Sequence, residues 1–89
     1  MHSHLHTTDI RVGGVYTNGN GLYRRVTELT KIGSWADVTY SAYRRRKDGQ
    51  IVRAYLRGRH ADLSMGLHSF AEWARREATE AETEEVRDV

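Results

Sequence analysis

Apolar and polar residues alternate along most of the chain between positions 9 and 66, which is the period-two pattern of half-buried β-strands. The alternating segments are rich in β-branched and aromatic residues, and they span residues 10–16, 22–30, 35–46 and 50–57, with a fifth, shorter one around 62–65. Between them, glycine and asparagine at 18–21 and glycine at 47–49 favour tight hairpin turns, because these residues tolerate a positive φ. Residues 9–66 are therefore predicted to form an antiparallel β body.

Two irregularities modify this pattern. The glycine pair at residues 13–14 predicts a kink or bulge inside the first segment. Within residues 22–30 the alternation slips by one position, which predicts a second bulge. In the third segment Val38, Tyr40 and Ala42 fall on one face, and we expect that face to be the core.

A C-terminal helix is predicted over residues 67–89, packed on the β body. Ser69 and Glu72 match a capping box, so Ser69 is expected to be the N-cap residue. Phe70 and Trp73 begin an apolar stripe with the helical period, which we expect to pack against the sheet. Toward its end the helix is acidic and almost wholly polar, so it is expected to fray.

Strands followed by one helix indicate an α+β fold. In so small a chain, a bent antiparallel sheet or small SH3-like barrel of four to five strands would protect the strand edges, and a flat meander crossed by the helix is the alternative. Residues 1–8 contain three histidines and lack a periodic apolar pattern, so they are expected to form a flexible arm.

Composition narrows the functional classes. A chain of 89 residues, 38% hydrophobic and 29% charged, fits one small globular domain and is too small for an enzyme with a deep, walled active site. The absence of cysteine excludes disulfides and thiolate zinc sites. No apolar run approaches the roughly 20 residues of a membrane span, so a cytoplasmic protein without a membrane partner is expected. The sequence does not fix the oligomeric state.

Charge is distributed unevenly along the chain. The formal net charge is +2, but residues 72–89 hold seven acids and three arginines, a net of −4, which leaves +6 on the remainder. A basic body with an acidic end suggests a polyanionic partner for the body, with two solvated faces as the alternative reading.

Arginine and tyrosine recur together on the strands. The hairpin at 47–49 pairs the third and fourth segments, so that Tyr43 and Arg45 share a face with Arg53. The candidate nucleic-acid-binding residues are Arg24, Arg25, Tyr43, Arg45, Arg53, Tyr55, Arg57 and Arg59. Because guanidinium groups fork onto phosphates and exposed tyrosines stack on unpaired bases, this Arg/Tyr face predicts binding to single-stranded DNA or RNA.

Three short motifs occur in order along the chain: Val12-Gly-Gly-Val-Tyr16, Gly21-Leu-Tyr-Arg-Arg-Val26 and Ser69-Phe-Ala-Glu-Trp-Ala74. In these motifs the chain resembles short uncharacterised proteins of bacteriophages and prophages, and it is also loosely similar to small SH3-like and KOW-type barrels. The resemblance implies a bacterial or viral cytosolic context and a small SH3-like β-rich body, and it implies no catalytic residue.

Trp35 is the basis for an alternative to nucleic-acid binding. It opens a strand beside a turn, where a tryptophan is expected to be exposed, and exposed tryptophans often anchor protein partners. The alternative to nucleic-acid binding is therefore a protein-interaction module, for example a phage factor that binds a host protein.

Catalysis and cofactors are not expected. The glycine-rich turns lack the lysine and hydroxyl of a phosphate-binding loop, and no serine lies in a nucleophile motif. His2, His4 and His6 alternate, but the arm offers no carboxylate beside them, so no intrinsic metal site is expected.

Overall fold

The computed structural model describes residues 4–54 and 62–86. In chain order, a 3₁₀ turn (Thr7–Asp9) precedes strands β1 (Val15–Thr17), β2 (Leu22–Ile32), β3 (Trp35–Arg45), β4 (Ile51–Arg53) and β5 (Leu63–Gly66), then helix α1 (Leu67–Trp73), strand β6 (Arg76–Glu77) and helix α2 (Glu80–Glu85). None of the helices in these ranges has the length and apolar character needed to cross a membrane.

The strands form one antiparallel sheet with the order β4-β3-β2-β1-β6, and β5 pairs with β3 beside this path. Because β3 has 11 residues, one edge of it accommodates both β5, along Asp37–Tyr40, and β4, along Tyr43–Arg45. In the described part of the chain the end strands β4 and β6 do not pair with each other, so the sheet is open. The α+β prediction is confirmed, whereas closure into an SH3-like barrel is not observed among residues 4–54 and 62–86.

The predicted hairpin turns and the bulge of the second segment are confirmed, whereas the first strand is shorter than predicted: it begins at Val15, after a turn at residues 12–13. The predicted hairpin turns contain Gly19, Gly21 and Gly49 with φ of 83°, 82° and 92°, values that side chains other than glycine rarely adopt. The β2–β3 register shifts between Val26 and Glu28, which is the predicted bulge. The predicted continuation of the fourth strand through residues 55–57 lies outside the described residues.

The sheet is buried on both sides, whereas the alternation pattern predicted one core face. On the α1 face, Val26, Val38 and Tyr40 pack with Phe70 of the first helix. On the opposite side, the α2 face, a second cluster is formed by Val15, Tyr23, Tyr43, Ile51 and Val86. The two largest side chains of the second cluster are tyrosines, whose polar hydroxyls made this face look less like a core in a simple apolar–polar pattern.

The first helix begins earlier than predicted. Gly66 is its N-cap residue with extended backbone, no side chain donates or accepts at the cap, and Ser69 lies exposed in the first turn. The N-cap assignment to Ser69 is therefore wrong. Since β5 stays paired with β3 up to Gly66, opposite Asp37, the chain passes directly from strand to helix and overrides the local capping box.

The prediction of a single C-terminal helix is also wrong. After Trp73 the backbone becomes extended, and β6 pairs with β1 through Tyr16 opposite Glu77 and Thr17 opposite Arg76. Thr79 then starts α2 with a reciprocal capping box, in which its hydroxyl accepts from the Glu82 amide at 3.2 Å. Val86, which follows α2, is fully buried in the second cluster, so this end of the chain has an apolar contact that the fraying prediction did not include.

The N-terminal segment is attached to the body from residue 4 onward. The Leu5 amide donates to the Ala74 carbonyl at 3.0 Å, and the Leu5 side chain packs against the α1-face core. The segment expected to form a flexible arm is thus packed against the body at Leu5. Residues 1–3 lie outside the described part of the chain.

Candidate binding surfaces

The α2 face holds the described members of the predicted Arg/Tyr face, apart from Arg24. Tyr43 lies opposite Arg53, and alternation along β3 places Arg45 on the same side. Arg25, opposite Ser41, joins them. The remaining candidates, Tyr55, Arg57 and Arg59, lie outside the described residues.

Tyr43 is only 1% exposed, so it offers no ring for a base to stack on. Its neighbour across the sheet, Tyr23, is buried as well. The stacking role assigned to Tyr43 from the sequence is therefore wrong in this structure, because α2 and Val86 cover the tyrosine rings.

Glu82 of α2 is the centre of a polar cluster on this face. It accepts hydrogen bonds from the Tyr23 hydroxyl at 2.5 Å and from both terminal nitrogens of Arg76 at 2.7 and 3.1 Å, and Arg45 lies 3.5 Å away. The Arg76 guanidinium holds the pKa of Glu82 far below its usual range, with help from Tyr23 and Thr79 and against the effect of burial. The acidic end of the chain thus neutralises part of the basic body.

The other arginines of the α2 face also have acceptors within the chain. The Arg25 guanidinium donates to the Val86 carbonyl. Arg53 lies 3.4 Å from the Asp62 carboxylate. To bind a phosphate, each of these arginines would have to leave an internal partner, which makes this face a poor anion-binding surface.

Arg24 points to the other side of β2, onto the α1 face. Its guanidinium carbon lies 3.9 Å from the centre of the Trp73 ring and 4.6 Å from that of Tyr40, and one terminal nitrogen donates to the Met65 sulfur at 3.1 Å. Burial lowers the pKa of Arg24. Among the described residues no carboxylate lies within salt-bridge distance of it.

Two exposed arginines lie on the same side of the sheet as Arg24. Arg44 is paired with Leu22 across the β2–β3 ladder, next to the pair of Arg24 with Ala42. The Arg75 amide donates to the Thr17 carbonyl and so extends the β1–β6 ladder. Because side chains alternate, Arg75 lies on the side opposite Arg76.

We call Arg24, Arg44 and Arg75 the α1-side arginines. Within residues 4–54 and 62–86, Arg44 and Arg75, like Arg24, have no carboxylate within salt-bridge distance. At the edge of the sheet, a polar cleft of about 380 Å³ is lined by the turn at residues 18–20 and by both Arg75 and Arg76. Sequence reasoning missed Arg44 and Arg75, although the strand alternation already separated Arg44 from Tyr43 and Arg45.

The hairpin tip between β2 and β3 is apolar and exposed. Ile32 and Trp35 face each other across the turn and are 70% and 64% exposed. The Trp35 ring nitrogen donates to the Asp37 carboxylate at 2.8 Å, which orients the ring. The exposure expected for Trp35 is confirmed, and Ile32 adds a second exposed apolar side chain at the tip.

A cleft of about 460 Å³ separates this tip from the start of α1, lined by Trp35, Ala36 and residues 66–69. A smaller pocket of about 110 Å³ adjoins this cleft, since Thr7 and His68 line both; its polar side chains come from the N-terminal segment and the helix, namely His4, His6, His68 and Glu72.

Comparison of the chain with protein-family models, with curated proteins and with solved structures found no match.

Proposed function

We propose that this protein is a small non-enzymatic module that binds single-stranded DNA or RNA, and that its binding surface is formed by the α1-side arginines with Trp73. The proposal rests on a difference in ion pairing between two groups of arginines. Arg45, Arg53 and Arg76 have carboxylate partners within the chain, whereas the α1-side arginines have none among the described residues.

Unpaired guanidinium groups favour phosphate binding for two reasons. No internal ion pair has to be broken, so the electrostatic gain from counterion release is retained. Arg24 is also held in place against Trp73, and a guanidinium stacked on a ring can still donate from its edge, where one terminal nitrogen already bonds the Met65 sulfur and the other can reach a phosphate. The exposed Leu22 and the half-buried Trp73 add apolar surface that unpaired bases can contact.

The resemblance to phage and prophage proteins belongs to the same proposal. It supports a cytoplasmic setting in a bacterial host, where single-stranded nucleic acid is a common target. The SH3-like character implied by that resemblance is likewise a proposal, since the sheet in the described residues is open.

The test compares two double variants that remove the same charge. Arg44→Gln with Arg75→Gln removes two of the α1-side arginines, and Arg11→Gln with Arg46→Gln removes two exposed arginines that are paired with Glu77 and Asp48. Binding of labelled oligothymidine and oligouridine is followed by fluorescence anisotropy over a range of salt concentrations.

We expect the first double variant to bind more weakly and to flatten the log–log salt dependence by about 1.4, which is about 0.7 for each lost contact to a single strand. The second should change both quantities little. Equal effects of the two variants would mean that only net charge matters. No binding by the wild type below about 100 μM at about 50 mM salt would refute nucleic-acid binding.

A second candidate function is binding to a protein partner through the Ile32–Trp35 tip. The supporting observation is that these two large apolar side chains are the most exposed of their kind in the described residues. Cross-linking in host lysate, with wild type, Ile32→Ser/Trp35→Ser and Arg44→Gln/Arg75→Gln compared by mass spectrometry, tests it. The proposal requires a protein that the apolar variant loses and the arginine variant keeps, at high salt as well as low. If no protein follows that pattern, the tip is not a binding site.

A further inference from the structure

Strand β2 is paired on one side only along its second half. On the side away from β3, β1 pairs with residues 23–25, and the last bonds there are those of the Val26 amide and carbonyl to Gly14 and Gly13. Within the described residues, no segment other than β3 is hydrogen-bonded to the backbone of residues 27–32. We call the outer side of residues 27–32 the free edge.

The free edge presents the backbone groups of an extended strand to solvent. Such an edge is a template for a further strand, because it carries a row of N–H and C=O groups that a neighbouring backbone can satisfy. Its composition favours pairing, since Thr27, Thr30 and Ile32 are β-branched and the chain contains no proline. Apart from the half-buried Leu29, its residues are exposed.

Exposed apolar side chains lie at both ends of the free edge. The β2–β3 tip at one end carries Ile32 and Trp35. The turn at the other end carries Val12, which is 58% exposed and precedes Gly13, the residue bonded to Val26. An antiparallel strand of the same sequence would bring its own tip to this turn and its own turn to this tip. Apolar surface at both ends would then be removed from water.

We propose that two copies of the chain associate through their free edges, with the β2 strands antiparallel about a two-fold axis perpendicular to the sheet. Such an interface is self-complementary, because each copy offers the other the same set of backbone donors and acceptors. The free edge also contains one acid, Glu28, and one base, Lys31, so two copies bring no net charge to the interface. This association is independent of nucleic-acid binding.

The turn at residues 12–13 sets the register of the two strands. It occupies the outer side of Val26, so the part of the free edge open to a second strand is centred on Thr30. With Thr30 on the two-fold axis, each Thr30 faces its counterpart, and the flanking pairs join Leu29 to Lys31 and Glu28 to Ile32 of the second copy. Threonine pairs across strands are favourable, and in this register no like charges lie directly opposite each other.

The test measures the mass of the wild-type chain by sedimentation equilibrium from about 10 μM to about 1 mM, a range that includes weak association. We expect the mass to rise with concentration toward that of two chains. A monomer throughout this range would overturn the proposal.

Charge at position 30 tests the symmetry, because a residue on the axis meets itself. Thr30→Lys or Thr30→Glu alone should weaken association by at least about tenfold, since each puts like charges opposite one another. An equimolar mixture of the two variants should associate again, because the axis then joins opposite charges. Ser64→Lys and Ser64→Glu are the matched controls, since Ser64 is exposed on β5 and should leave association unchanged. Circular dichroism verifies that each variant is folded.

Two results would show that wild-type association uses another surface, and either would make the proposal wrong. The first is equal association of the Thr30 and Ser64 variants. The second is failure of the mixture of Thr30→Lys and Thr30→Glu to associate more strongly than either variant alone.

Discussion

Replacing Glu82 with glutamine tests whether the acidic helix is held on the sheet by charge. Glutamine keeps the capping box, because its carbonyl oxygen can still accept from the Thr79 amide, which now donates to Glu82 at 2.9 Å. The substitution therefore removes the negative charge between Arg45 and Arg76 and leaves the helix start intact.

The expected loss at pH 7 is about 2 kcal/mol in the free energy of unfolding. Hydrogen bonds to charged groups contribute roughly 1.5 to 3 kcal/mol, and the partial exposure of both arginines reduces that through solvent screening. Glu82 is itself mostly covered, and it also accepts from the buried Tyr23 hydroxyl, so the effect is larger than for a surface ion pair.

The pH dependence of the free energy of unfolding gives a second test of the role of Glu82. The pKa of Glu82 is depressed from its ordinary value of 4.5, so the ionised side chain stabilises the fold above that value. Below it the unfolded chain binds a proton that the folded chain does not, and stability falls by about 1.4 kcal/mol per pH unit. The difference between wild type and the Glu82→Gln variant should therefore close between about pH 4.5 and pH 3.

Urea denaturation at several pH values, followed by tryptophan fluorescence, measures both quantities. Glu84→Gln is the control, since Glu84 is exposed on the same helix, and it should change the free energy of unfolding at pH 7 by less than about 0.5 kcal/mol. A loss of less than about 0.5 kcal/mol at pH 7, or a difference that stays constant down to pH 3, would show that Glu82 does not hold α2 in place.

Two further predictions concern the helices and are measured by urea denaturation. Phe70→Ala should cost about 3 to 5 kcal/mol, because the ring is fully buried and lies 5.6 to 5.7 Å from three other aromatic rings; a loss below about 1 kcal/mol would mean that α1 is not packed there. Thr79→Ala should cost about 1 kcal/mol as a lost N-cap, whereas Ser69→Ala should stay within about 0.5 kcal/mol. The reverse order would restore Ser69 as a helix cap.

The sequence predicted well those features that depend on neighbouring residues. The hairpin turns, the bulge in β2 and the core positions Val38 and Tyr40 follow from positive-φ glycines and from strand alternation. The candidate arginines of the α2 face were also correctly grouped, since the β3–β4 hairpin fixes Tyr43 opposite Arg53. Each of these features depends on contacts within a hairpin, where the position of the turn already determines which residues are paired across the two strands.

Only the tertiary structure determined which arginine and tyrosine side chains remain accessible to a binding partner. Tyr23 meets Glu82 across 59 positions of sequence, and Arg25 meets Val86 across 61, so no local pattern could show that the acidic end covers the Arg/Tyr face. The same holds for His4 beside Glu72 and for Arg24 on Trp73. Composition determined how much charge the chain carries. Only the packing of distant segments determined which charges neutralise each other, because ion pairing depends on separations of a few ångströms that sequence distance does not encode.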